Sequence, residues 1–429
     1  VRTAVVLFTR DLRVHDNPVL YAAATAAERV VPLFVADPRV PVPPNRRRFL
    51  AESLADLRES LRRRGGDLVI REGDPVAEAV KLARDNGASG IAMAADASSY
   101  AAARRLRLRR ACERERLSLE LVDSVTVVPL GALRPAGGDH YRVFTPYWRA
   151  WQQIRHRAEL PAPRRVSLPE HLAPGHLPAG GPATGLLPGG ETAGRRRLFQ
   201  WRHRSAGYAE GHDVLATDRT SRLSPYLHFG CVSPVTACRR VPEAAAFVRQ
   251  VCWRDFYHQV LYAFPALPRR AYRAGAVERW GDDPEALAAW RDGRTGVPIV
   301  DAGMRQLAGE GWMHNRARLI TASFLTKRLG VDWREGASWY LRLLLDGDVA
   351  NNFGNWQWVA GTGNDTRPYR RFNPIRQAER YDPDGDYVRR WVPELAHIPG
   401  AAVHQPWRLP SGERRALRYE SPFAPEPEA

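Results

Sequence analysis

Five short apolar runs punctuate roughly the first 125 residues, and segments of helical period separate them. The runs are TAVVLF, RVVPLFV, DLVIR, GIAMAA and LSLELV. Each is short and rich in β-branched residues, so each reads as a strand. In RRRFLAESLADLRESLRRRG, Phe49, Leu50, Leu54, Leu57 and Leu61 recur at helical spacing, and in DPVAEAVKLARDNG a second helix has Gly87 placed to stop it. Strand–helix alternation needs crossover connections, and these lay helices on both faces of a parallel sheet. The expectation is an α/β domain with a doubly wound parallel sheet, of the kind that binds ligands beyond the carboxyl ends of its strands. No G-x-G-x-x-G follows the first strand, and no G-x-x-x-x-G-K-[ST] occurs anywhere, so an ordinary dinucleotide or ATP site has no support.

From Leu160 to Gly194 the chain turns rich in Pro and Gly and loses any period, which reads as a long connection. Beyond it the helical period dominates. DAGMRQLAGEGWMHNRARLITASFLTKRLG reads as two helices broken around Gly309 to Gly311, and DWREGASWYLRLLLDGD as another helix ended by its own Asp-Gly. The expected division is therefore 1–130 for the sheet domain, 131–194 for a connection, and 195–429 for an all-α domain.

A chain of 429 residues is long for one domain and ordinary for two. Its net charge of +17 favours a polyanionic partner such as nucleic acid. Only Lys81 and Lys327 are lysines, so arginine carries the surplus, as a GC-rich coding bias would also produce. No apolar run reaches the ~20 residues a membrane helix needs, and the short run at the N-terminus is not a secretory signal. A cytoplasmic, bacterial location without membrane partners is expected. The four cysteines, Cys112, Cys231, Cys238 and Cys252, include no C-x-x-C pair, so they read as buried thiols rather than metal ligands, and no metal is expected.

Four segments of the C-terminal half belong together: TSRLSPYLHFG (220–230), RQVCWRDFYHQV (249–260), GWMHNRARLITASFL (311–325) and DGDVANNFGNWQW (346–358). With the opening VVLFTRDLRVHDNPVL, they resemble the cryptochrome/photolyase family, and within it the class I cyclobutane pyrimidine dimer photolyases. The resemblance runs from Ala4 to about Trp407 and is weakest in the connection. It implies an FAD-binding helical domain, damaged DNA as partner, and a monomer.

The resemblance assigns roles residue by residue. Tyr208, Thr220, Ser221, Arg222, Leu223, Ser224 and Arg254 would hold or support the flavin, the hydroxyls and backbone amides of 220–224 taking its phosphates. Alone, those Ser and Thr residues read equally as helix caps. Arg318 and Asp346 match an ion pair beside the flavin ring, with Asp348 close by, and Asn352 matches the position facing flavin N5. Trp280, Trp333 and Trp356 match an electron-transfer triad, although any single Trp reads first as core. Trp253 and Trp358 match the pair that sandwiches a flipped-out dimer. Asn315, Arg316 and Gln377 match DNA contacts.

Two positions depart from the commonest pattern: Gln250 stands where many dimer photolyases have Glu, and Leu319 where they have Met. Gln at the first place also occurs in (6-4) photolyases and animal cryptochromes, but these repairers carry a second His after the Met-His step, where this chain has Asn315. An antenna pigment is expected in the first domain. ADASSYAAAR lacks the Asn-Glu pair of folate binders, which favours 8-hydroxy-5-deazaflavin, as in actinobacterial-like relatives, over methenyltetrahydrofolate or an empty pocket. Phe34, Arg48, Asp96 and Tyr100 are its expected lining. The implied activity is light-driven repair: reduced, photoexcited FAD donates an electron to the flipped dimer, the cyclobutane ring splits and the electron returns. The alternatives are a blue-light-sensing cryptochrome without repair activity and a (6-4) photolyase. Asn352, the Trp253/Trp358 pair and the short stretch after Trp407 weigh against the cryptochrome.

Overall fold

All five expected strands form, as β1 (Thr3–Phe8), β2 (Arg29–Ala36), β3 (Val69–Glu72), β4 (Ala88–Ala94) and β5 (Ser118–Val122). The structure is a computed structural model that describes residues 2–40, 42–181, 187–364 and 367–419. The strands pair in parallel in the order β3-β2-β1-β4-β5. In register, Val5 lies opposite Val31 on one side and Ile91 on the other, while Leu33 faces Val69. The crossover helices are α1 (Pro18–Ala26), α2 (Pro44–Arg62), α3 (Pro75–Asp85) and α4 (Ser99–Arg114). Asn17, Asp74 and Ser98 cap α1, α3 and α4 through their side chains, and a Pro follows directly in α1 and α3, where its missing N–H costs nothing. Gly87, with φ +58°, ends α3 as expected.

One face of the sheet buries Val5, Leu7, Val31, Leu33, Ile91 and Met93 against Val76, Ala79 and Leu82 of α3 and Leu108 of α4. Each such side chain contributes about 1.5–3 kcal/mol when fully buried. Strand order reverses between β1 and β4, so the crevice that doubly wound sheets use lies past Phe8 and Ala94.

The chain divides into two compact units. The first takes the sheet, the residues up to 181, Leu187–Ala206 and Ser221–Ala266. Besides α1–α4 it contains α5 (Phe144–Gln153), α6 (Glu191–Arg202), α8 (Ser224–His228), α9 (Pro234–Arg239) and α10 (Ala245–Ala263). The expected connection thus carries α5 and the start of α6, and between Gln153 and Gly181 it forms neither helix nor strand. Apolar Phe144, Tyr147 and Trp151, one helical turn apart, explain α5.

The opening motif folds into a buried polar knot. Arg13, 1% exposed, donates to the carbonyls of Asp16, Gly230 and Ser124. Glu191 accepts from the backbone amides of Val14 and His15 at 2.8 and 3.0 Å. Gly230 has φ +69°, and a Cβ there would lie 1.9 Å from the carbonyl oxygen of Arg10.

The second unit comprises Gly207–Thr220 and the chain from Leu267 onward. It holds α7 (Tyr208–Gly211), α11 (Pro284–Asp292), α12 (Pro298–Glu310), α13 (Asn315–Ser323), α14 (Trp333–Leu343), α15 (Val349–Ala360), α16 (Pro374–Tyr381), α17 (Asp386–Trp391) and α18 (Ser411–Ala416). Among its described residues the only strand-like pairing is one bridge, Gly281 to Val331. The break between α12 and α13 falls at Gly311, φ +61°, as the sequence led one to expect. The stop of α14 differs. It comes at Leu343, ahead of Asp346-Gly347, because the buried Leu344 is extended, and Asp348 caps α15 instead of ending α14.

Candidate functional site

In the second unit two helix starts carry the charged candidates. Arg318, in the first turns of α13, donates through Nη2 to both oxygens of Asp346 at 3.1 and 2.9 Å, and through Nε to the carbonyl of Met313 at 2.9 Å. The Asp346 side chain is 5% exposed and that of Arg318 24%, so the pair is buried on the acid's side and open on the guanidinium's. Two residues later Asp348 accepts the Asn351 amide at 2.8 Å and so starts α15. Asn352, one turn in, donates its side-chain amide to the carbonyl of Ala337 at 2.9 Å. That bond turns the Asn352 oxygen, an acceptor, away from the helix pair. His314 caps α13 by accepting the Arg316 amide at 3.2 Å. Burial pushes its imidazole down to about 4, with Asp213 opposing and Arg316 and Arg318 adding to the shift. His314 is therefore neutral at pH 7.

The segment Trp-Gln-Trp separates by face. Trp356 is 2% exposed and packs edge-on against Tyr340 and Trp290, with ring centroids 4.9 and 6.0 Å away. It fits because α14 has glycine opposite: a Cβ on Gly336 would lie 2.1 Å from the indole. Gln357 is wholly buried and staples the Leu267–Tyr272 stretch, donating to the carbonyls of Leu267 and Arg270 and accepting from the Tyr272 amide. Trp358 is partly exposed, beside Phe372 and under the Arg370 guanidinium. Trp333 opens α14, fully buried against Phe353 and under Arg334. Trp280 precedes Gly281, whose bridge to Val331 brings its strand-like segment alongside the approach to Trp333. The indole nitrogens of Trp280, Trp333 and Trp356 are buried without a hydrogen-bond partner, which is unusual for tryptophan.

Asn315 is exposed at the head of α13, and Leu319 is half-buried one turn on. Gln377 on α16 has a buried, unpartnered Oε1. Arg316 is not free for solvent: it forms a two-pronged bond to Asp213 and lies over the ring of Tyr381, 4.2 Å from its centroid. Tyr208 stacks on His212, and Thr220 donates to Asp218 at 2.9 Å.

The first unit carries the remaining candidates. Ser221 accepts the Leu223 amide at 3.3 Å, so the capping expectation holds for that hydroxyl, while the first turn of α8 at Ser224 has no side-chain cap. Arg222 is buried with φ +48°. Arg254 donates to the carbonyls of Val125 and Leu227 at 2.6 and 3.4 Å. Gln250 and Trp253 fall three apart on α10 and share a face, with Gln250 exposed. The Trp253 ring lies flat on Phe144, at 3.7 Å and 5°. Asp255 fixes the helix. It accepts from the amides of Val127 and Val128 and from the Trp151 indole at 2.9, 3.1 and 3.0 Å, and burial raises its carboxyl. Sequence reasoning missed Phe144, Asp213, Gly336 and Asp255. Only Asp255 carried a signal, as an acid inside the apolar run CWRDFYHQV.

Of the antenna candidates, Phe34 lies near the carboxyl end of β2 and Asp96 just past β4, where it meets Arg10 at 3.4 Å. Tyr100 donates to Asp37 at 2.5 Å. Arg48 instead points along α2, to Glu52 and the carbonyl of Leu187.

Comparison with known proteins follows the same division. The family described as DNA photolyase matches residues 4–164, and that described as the FAD binding domain of DNA photolyase matches residues 247–424. The deoxyribodipyrimidine photo-lyase of Streptomyces griseus is 50% identical over 99% of this chain and 97% of its own. A bacterial class III photolyase from Agrobacterium tumefaciens superposes with a TM-score of 0.93 at 33% identity, covering 99% of this chain and 94% of that one. A cryptochrome from Synechocystis does so at 0.88 and 29%, covering 99% and 96%. The chain belongs to the cryptochrome/photolyase family, with that family's α/β domain followed by its helical FAD-binding domain.

Proposed function

We propose that this chain is a deoxyribodipyrimidine photo-lyase that repairs cyclobutane pyrimidine dimers in DNA with light and bound FAD. The observation that carries the reading is the pairing of two adjacent helix starts: Arg318–Asp346 from α13 and the approach to α15, and Asn352 within α15. Their chemistry fits a flavin ring edge, which presents both an N–H donor and carbonyl acceptors. Asp346 accepts, the half-exposed guanidinium donates, and the Asn352 oxygen accepts, its N–H being taken by Ala337. A buried pair of this kind needs further partners to be stable. Bound FAD, reduced and photoexcited, supplies the electron that splits the dimer.

The protein's own work is binding, positioning and exclusion of water. Tyr208, Thr220, Ser221 and Ser224 take the phosphate side of the cofactor, the uncapped start of α8 offering backbone amides. Arg222, Leu223 and Arg254 support that side, and Asp348 holds α15 in place. Trp356, Trp333 and Trp280 form the path by which an oxidised cofactor is recharged. Trp253, backed by Phe144, offers a single ring face to an extruded base, and Trp358 a second ring. Gln250, on the face of Trp253, donates to the lesion where an acid is commoner. Asn315, Leu319 and Gln377 complete the substrate side, and the arginine surplus serves phosphates. The antenna reading stays 8-hydroxy-5-deazaflavin beyond the strand ends, lined by Phe34, Asp96 and Tyr100 and without Arg48. The reading treats the chain as a monomer, divided by role at residues 130 and 194. No described helix is long and apolar enough to cross a membrane.

The likeness to the Synechocystis cryptochrome keeps a light sensor as the second reading. Oligonucleotides bearing a cyclobutane dimer, a (6-4) product or no lesion separate the cases. Repair of the first alone under blue light is the expected result; repair of the second alone, or of neither, refutes the reading.

A further inference from the structure

Arg316 matches a DNA-contact position, yet its side chain is only 14% exposed and already engaged. Nη2 meets Asp213 Oδ2 at 2.5 Å and Nε meets Oδ1 at 3.3 Å, the fork that guanidinium and carboxylate form best. The same guanidinium rests on Tyr381, whose carbonyl accepts the amide of Leu215 at 3.0 Å. Asp213 and Leu215 both belong to the 207–220 segment, so Arg316 and Tyr381 tie that segment to α13 and α16 through one junction. The segment has little order of its own. Its helix α7 is a single turn, and Asp218 sits at φ +41°. It nevertheless carries Tyr208, which stacks on His212, the neighbour of Asp213.

We propose that Arg316 is a positioning residue for FAD rather than a phosphate ligand of DNA: with Asp213 it clamps the 207–220 segment so that Tyr208 and Thr220 are held for the cofactor. The inference rests on the reading that these two residues hold flavin. The first turns of α13 then serve both ends of the cofactor. Arg316 reaches the segment of Tyr208, and Arg318, two residues on, reaches Asp346. The neutral cap His314 fits between the two cations because it adds no third charge.

The test measures FAD release from the full-length holoprotein by flavin fluorescence on dilution, amide exchange over 208–220, and the salt slope of binding to undamaged duplex. Asp213→Asn keeps the arginine charge and breaks only the clamp. Arg316→Lys keeps the charge and loses the fork, and Arg316→Gln loses both. A clamp predicts roughly tenfold faster FAD release and faster exchange in all three variants. It also predicts a double variant Arg316→Gln/Asp213→Asn no worse than either single one, and a salt slope unchanged by any of them. A DNA ligand predicts normal release throughout, a slope reduced by about 0.9 in Arg316→Gln, and tighter duplex binding in Asp213→Asn; that pattern overturns the proposal. Asp346→Asn separates the premise from the clamp. If exchange rises in the three variants but only Asp346→Asn speeds release, the clamp exists without holding flavin, and the proposal falls. If Asp346→Asn leaves release unchanged, the flavin reading itself fails.

Discussion

Acid should loosen the helical unit through one residue. His314 is 1% exposed, and burial holds its imidazole at about 4 instead of the ordinary 6.5. A base whose folded-state pKa is depressed must stay neutral for the fold to persist, while the unfolded chain protonates it freely. Stability is therefore complete above pH 6.5 and falls as the pH drops toward 4, where the folded form begins to take the proton too. Between those values each pH unit costs about 1.4 kcal/mol, so the loss at pH 4.5 reaches about 2.5 kcal/mol. The groups facing the ring, Asp213, His212, Arg316 and Arg318, are part of that balance. His314→Asn keeps a side-chain acceptor at the cap and removes the titration. In urea unfolding followed from pH 7 to 4.5, the wild-type chain should lose about 2.5 kcal/mol more than the variant. Parallel loss in the two proteins would show that His314 does not titrate in this way, and would refute the argument from burial.

Other perturbations follow from the packing of the rings. Gly336→Ala places a methyl 2.1 Å from the Trp356 indole and should cost about 1–3 kcal/mol in urea unfolding; adding Trp356→Phe should recover much of it, and no recovery would mean the clash lies elsewhere. Phe144→Leu removes the ring stacked on Trp253 at 3.7 Å and should weaken binding of dimer-containing DNA about tenfold, or 1.4 kcal/mol, without changing binding to undamaged DNA. Equal loss on both DNAs in a gel-shift titration would make Phe144 a general structural residue. Trp333→Phe should abolish photoreduction of oxidised FAD, followed by absorbance, and spare repair when the FAD is reduced chemically beforehand. Loss in both conditions would assign Trp333 to the core alone.

What the sequence made legible was mostly local. The five strands were readable because a fully buried parallel strand is an unbroken apolar run, and the break at Gly311 because glycine adopts a left-handed backbone cheaply. The stop of α14 was misplaced because Asp-Gly is a generic turn signal, whereas the extended conformation of Leu344 is set by burial that no local pattern reports. The motif TRDLRVHDN was visible as a family mark but not as a buried knot, since its partners Ser124, Glu191 and Gly230 are more than a hundred residues away. The same distance hid Phe144 behind Trp253 and Asp213 beneath Arg316. In Trp-Gln-Trp, helical geometry alone separates Trp356 from Trp358 by about 200°, so one goes inward and the other outward. Which ring faces which partner depended on Gly336, a residue with no side chain to read.

The central claim is that reduced FAD held by this chain donates the electron for repair only when lit. The most direct measurement loads the full-length protein with FAD, reduces it chemically without oxygen, adds an oligonucleotide with one cyclobutane dimer, and counts restored pyrimidines after blue light and after an equal time in the dark. Restoration in the light and none in the dark is the predicted result, with none from an equal sample kept in the oxidised state. Dimers that persist in the light with reduced FAD bound would contradict it.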